Sequence, residues 1–220
     1  MIRLPLNVKS FAPGLLALLF VLPGRAAAQE RYYLWVFSSQ STPKLPRYTH
    51  TWATFAKVTD CGGKRFVEAL TISWMPATLN IRPYALRPEP GTNLDLPTTL
   101  RVAHSKCERI SVWGPYEIDA PFYQRAVAQK ARLESGRVLY RAVDPLIRGE
   151  GISDCIHAVS DIDSGRPRLA YPVTPFFGDA AGRRIAHTLQ RSGEARPPRE
   201  ELRWLEPAIG MAGYPLVRRE

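Results

Sequence analysis

The chain has little of what most catalytic and binding machinery is built from. Its 220 residues include only four histidines and three cysteines. Cys155-x-His157 is the one short pair with ligand chemistry, and no second pair follows at cage spacing, so a metal site is not expected. Gly62-Gly63 is not followed by a helix start, which removes the usual phosphate-cradling loop. Gly-x-Ser-x-Gly does not occur, so a serine hydrolase of that type has no support. The longest apolar run, residues 15–22 (LLALLFVL), is far short of the ~20 residues a membrane helix needs. No internal repeat is visible, and no cofactor is implied.

What is present begins with a targeting pattern. Arg3 and Lys9 precede the apolar run, Pro23-Gly24 breaks it, and Ala26-Ala27-Ala28 supplies small residues. That order is a secretory signal, with the mature chain expected to start near Gln29. An uncleaved N-terminal anchor is the competing reading. No cysteine follows the run to carry a lipid. The expected organisation is a signal at 1–28, a single domain at 29–192, and a basic, loosely structured tail at 193–220. Loss of Arg3, Lys9 and Arg25 with the signal takes the formal charge from +10 to +7. Such a surface suits wall polyanions or anionic lipid, and export argues against nucleic acid. A solvated basic face accounts for the same charge.

Twenty prolines point to many loops. Residues 31–38 (RYYLWVFS) read as a strand, and residues 50–58 and 65–74 as a hairpin around Asp60-Cys61-Gly62-Gly63-Lys64. Short strands are expected at 79–85 and 138–143, with another at 109–118 interrupted by Gly114-Pro115. Asp95 and Asp119 are placed to cap helices that end near Cys107 and Gly136. Ser153 is read as capping a helix over 154–162, and a further helix covers 179–190. Hairpins rather than steady strand–helix alternation predict an α+β fold, an antiparallel sheet with three or four packed helices. Tryptophans 35, 52, 74 and 113 fall in predicted strands and are read as core, not as a sugar platform.

The segment with most chemical content is Ser153-Asp154-Cys155-Ile156-His157-Ala158-Val159. It sets a cysteine in the first helical turn, where free amides and the helix dipole favour a thiolate. A thiol nucleophile then needs an imidazole from elsewhere, because His157 is two residues along the same helix. His104 and His187 lie in helices, which leaves His50, on a strand, as the candidate base. Ser73 on the paired strand is the candidate orienting residue, with Thr71 and Glu68 as alternatives. Cys61 and Cys107 occupy loop edges and are the pair expected to bridge if any disulfide forms.

A strand-borne histidine in THTWATF, followed by a helix-start cysteine in DCIHAVSD, resembles the circularly permuted branch of papain-like thiol hydrolases. That branch includes lecithin retinol acyltransferase-like proteins. The resemblance spans the hundred or so residues between those motifs. It implies Cys155 as nucleophile and His50 as base. The chain departs from that pattern in having no clear polar third residue and less glycine beside the histidine. The phrases THTWATF, TISWMP, VWGPYEI and DCIHAVSD are also similar to a family of exported bacterial proteins, from which no activity follows. The expectation is an exported thiol hydrolase or acyltransferase acting on amide or ester bonds of an envelope substrate. Against it stands a non-catalytic module of the same fold that binds a cell-wall component. In that case Cys155 is a core residue on a stripe with Ala158, Val159 and Ile162.

Overall fold

The computed structural model describes residues 28–143, 151–162 and 177–220. The segment read as a signal lies outside them, apart from Ala28. The architecture is α+β. β1 (Gln29–Gln40), β2 (Thr49–Cys61), β3 (Lys64–Ile72), β6 (Arg109–Ile118) and β9 (Leu216–Arg219) form a five-stranded sheet in the order β3-β2-β1-β6-β9. All its pairings are antiparallel except β6–β9. β4 (Trp74–Pro76), β5 (Glu89–Asn93), β7 (Leu139–Tyr140) and β8 (Ile152–Ser153) form a smaller sheet of four. The helices are α1 (Leu96–Ser105), α2 (Ala120–Glu134), α3 (Cys155–Ser160), α4 (Asp179–Ser192) and the single turn α5 (Leu205–Ala208). Among the described residues no helix is long and apolar enough to cross a membrane.

The large sheet is covered on both faces, and that explains why β1 is apolar at consecutive positions. Tyr33, Trp35 and Phe37 face one core with Trp52, Leu100 and Ile110. Leu34 and Val36 face the other with Phe55, Trp113 and Ala158. Along β2 the same alternation assigns Trp52, Ala56 and Val58 to the first face and Ala53 and Phe55 to the second. α1 packs on the first face, while α2, α3 and α4 pack on the second. Trp35, Trp52, Trp74 and Trp113 are all buried.

Local chemistry sets several boundaries. Gly62 and Gly63 both hold positive φ, the conformation a two-residue hairpin loop requires. Asp95 and Asp119 cap α1 and α2 by accepting from the amides of Thr98 and Phe122, each at 2.8 Å. Gly114-Pro115 does not interrupt its strand but bulges it: two residues oppose Trp35 alone, so Trp113, Tyr116 and Ile118 keep one face.

Three expectations are corrected. The stretch 79–85 is turn, not strand. The helix cap is Asp154, not Ser153, because its carboxylate reaches the amide three residues on. Residues 193–220 are not a loose tail. Leu202, Leu205, Ile209 and Met211 complete the first core, and β9 joins the sheet beside β6.

Candidate functional site

Cys155 is the first residue of α3, which rests against β2. The Asp154 carboxylate holds this turn twice over. Its Oδ1 accepts from the His157 amide at 2.8 Å, and its Oδ2 accepts from His157 Nδ1 at 2.7 Å. That second bond fixes the proton on Nδ1 and folds the ring back over the helix start. His157 is therefore not turned away from the thiol's surroundings, as helical offset alone suggests. Asp154, Cys155 and His157 line one cavity of 250 Å³. Its other walls include Ile81, Pro83, Tyr140 and Phe177, so it is apolar with one polar end.

Cys155 as a residue is half-buried, with its sulfur at the enclosed end. The amides of Thr51, Cys155 and Ile156 are directed at the sulfur and favour the thiolate, as the helix-start position predicts. Burial and the neighbouring Asp154 carboxylate act in the opposite direction and prevail. They push the Cys155 thiol up to about 12. At neutral pH the sulfur carries its proton.

His50 and Cys155 are on opposite sides of the sheet. His50 shares its face of β2 with Trp52, on which its ring stacks at 5.3 Å. Trp52 belongs to the core under α1, whereas α3 belongs to the other core. Alternation of side chains along β2 turns His50 away from α3, and what the strand offers the sulfur is the backbone amide of Thr51. The expected dyad thus fails by a single residue of parity. The expected contact with Ser73 does form: its Oγ lies 2.8 Å from His50 Nε2 and 2.9 Å from Thr99 Oγ1. His50 Nδ1 is buried, with no hydrogen-bond partner among the described residues. Burial first, and then the positive charge of Lys106, lower the imidazole to about 3. His50 is a neutral, buried core group. The alternatives to Ser73 are also placed: Thr71 bonds Thr54 at 3.0 Å, and Glu68 is exposed near Lys57.

Cys61, Cys107 and Cys155 are all free. Among the described residues no group of three His, Cys, Asp or Glu side chains is arranged to hold a metal. The residues that sequence reasoning passed over are Thr51 and Asp154. The alternation along 50–58 sets Thr51 on the face opposite Trp52 but gives it no role, and Asp-x-x-His is a capping spacing. Compared with known proteins, the chain matches no family model, no curated protein and no solved structure.

Proposed function

We propose that the protein is an exported, non-catalytic binding module whose ligand enters the cavity above Cys155. The observation that carries this reading is strand parity: His50 faces the core under α1, whereas Cys155 opens the helix packed on the other face, and its thiol remains protonated. A nucleophile of that kind needs a base within reach, and what β2 turns toward the sulfur is a backbone amide instead. The apolar walls favour a compact apolar or aromatic group, and Asp154, Cys155 and His157 provide a polar end for its orientation. The N-terminal basic, apolar and small-residue pattern supports export, and the basic surface supports a partner in the envelope.

A second reading has one observation in its favour. Cys155 shares its cavity with the Asp154–His157 pair, so thiol acyl transfer would use His157 as base, in place of the strand histidine. One experiment separates the two. The protein is incubated with an activated aryl ester and examined by intact mass, beside titration with anilinonaphthalene sulfonate, an anionic dye whose aromatic rings seek apolar cavities. The binding reading expects dye binding that Ala142→Trp abolishes by filling the cavity, with no acyl adduct. A covalent acyl group lost in both Cys155→Ala and His157→Ala would overturn it in favour of the thiol reading.

A further inference from the structure

β3 is an outermost strand of the large sheet, and it is open where most edges are blunted. Phe66, the third residue of β3, is 57% exposed, the highest value among the large apolar side chains of the sheet strands. Lys64 and Glu68, two residues to either side, are also exposed. The two-residue Gly62-Gly63 loop makes Cys61 and Lys64 the hydrogen-bonded closing pair of the hairpin. By alternation, the backbone groups of Arg65, Val67 and Ala69 then point away from β2. At the far end of the strand this outward row is already satisfied, because the Thr71 carbonyl accepts from Asn93 Nδ2 at 2.9 Å. The open stretch is therefore 64–69.

We propose that this edge pairs with the same edge of a second copy, antiparallel about a two-fold axis, with Phe66 opposite Phe66 and Lys64 opposite Glu68. The register follows from charge. A two-fold axis normal to the sheet pairs only residues of the same face. Sliding the copies two residues closer to the strand end puts Glu68 opposite Phe66 and Lys64 opposite Leu70. A further slide puts Glu68 opposite Glu68, where like charges repel. Only the Phe66-centred register gives an aromatic pair flanked on both sides by Lys–Glu pairs. It also sets the outward backbone of Arg65 opposite that of Val67, as ladder bonding requires. The sheet's other edge does not offer this: β9 is four residues long and ends in Arg218-Arg219. Side-by-side pairing of one short edge is small against the roughly 1,200 Å² of a standard stable interface. The dimer is consequently weak and concentration-dependent.

Sedimentation velocity over a concentration series tests this on the full chain. The wild type should pass from monomer to dimer as concentration rises. Lys64→Glu and Glu68→Lys should each weaken the dimer about tenfold, because each creates two like-charge pairs. The double variant carrying both should recover wild-type dimerisation, since the charges are merely exchanged. Mild oxidation of Phe66→Cys should give a disulfide-linked dimer, and Glu68→Cys should not. A chain that stays monomeric at every concentration overturns the proposal and leaves the edge to some other extended partner. A dimer indifferent to the single reversals, or a double variant that remains weak, overturns it equally. The charge variants sit on exposed positions, so matching thermal melts would separate lost pairing from lost folding.

Discussion

The two faces of β2 present polar groups in opposite circumstances. Under α1, His50 is stacked on Trp52, bonded to Ser73 and kept neutral by burial. Under α3, the Thr51 hydroxyl is buried and its backbone amide meets the sulfur of a cysteine that lines an apolar cavity beside an Asp–His pair. The residues are neighbours in the chain, yet the sheet stands between their side chains. The lesson is that reactive pairing across a strand depends on parity before it depends on residue type. A histidine one position out of phase turns its ring to the opposite face.

The largest expected effect concerns the sulfur side of that comparison. With a thiol at about 12 against an ordinary value of 9.0, the thiolate fraction at pH 8 falls about a thousandfold. Native Cys155 should therefore alkylate roughly a thousand times more slowly than Cys155 in the urea-unfolded chain. Residue-resolved mass spectrometry measures this, with the exposed Cys61 and Cys107 as internal controls. Equal native and unfolded rates would mean that the helix amides win after all, and the thiol reading would regain its ground.

Next in size is the acid response of the opposite face. The unfolded chain takes up a proton on His50 below about pH 6.5, whereas the folded chain resists protonation down to about 3. The neutral-ring contribution is thus complete above pH 6.5 and is lost progressively as pH falls toward 3. By pH 4 the loss should be roughly 3 kcal/mol. Urea midpoints at pH 7 and pH 4 should show it in the wild type, and His50→Asn should lose less over the same interval. Parallel acid limbs in the two proteins would show that His50 is not the group that titrates.

Much of the fold was legible because its signals were local. Aspartate caps, a double-glycine turn and β-branched or aromatic runs each act within a few residues, and they marked α1, α2 and the β2–β3 hairpin. The packed C-terminal stretch was not legible, because Leu202, Leu205 and Ile209, although at helical spacing, sit among prolines and charges that read as loop, and they are buried only through the sheet beneath them. Half the site was legible on the same terms. The helix start at Cys155 and the reach of Ser73 to His50 follow from short-range geometry. What decided the dyad was which face of β2 met α3, a property of two cores that a single strand does not announce. The thiol's ionisation was hidden too, since burial overrode an amide environment that by itself points the other way.

A smaller effect should follow from Ser73→Ala. It removes the hydroxyl beside His50 Nε2 and Thr99 Oγ1, and leaves the ring with no bonded nitrogen among the described partners. Truncation that strands a buried polar group costs on the order of 1–3 kcal/mol. Chemical denaturation should find that loss, with alkylation of Cys155 unchanged because the sheet insulates one face from the other. A change in the labelling rate would mean that the two faces communicate.

Thr51→Val is the finest test, because it alters the sulfur side and leaves the backbone in place. The Thr51 hydroxyl is buried, with no hydrogen-bond partner among the described residues, so it incurs a desolvation cost without a bond in return. Valine has nearly the same shape and suits a strand. Replacement should leave stability unchanged or raise it by up to about 1 kcal/mol. The Thr51 amide, which faces the Cys155 sulfur, survives the change, so native alkylation should stay within about twofold of wild type. If the variant were instead destabilised by more than about 1 kcal/mol, the hydroxyl must hold a bond that matters. A thiol made faster by the same change would show that the threonine side chain, and not its amide, governs the sulfur. The balance that keeps Cys155 protonated would then lie in a single methyl-for-hydroxyl exchange on β2.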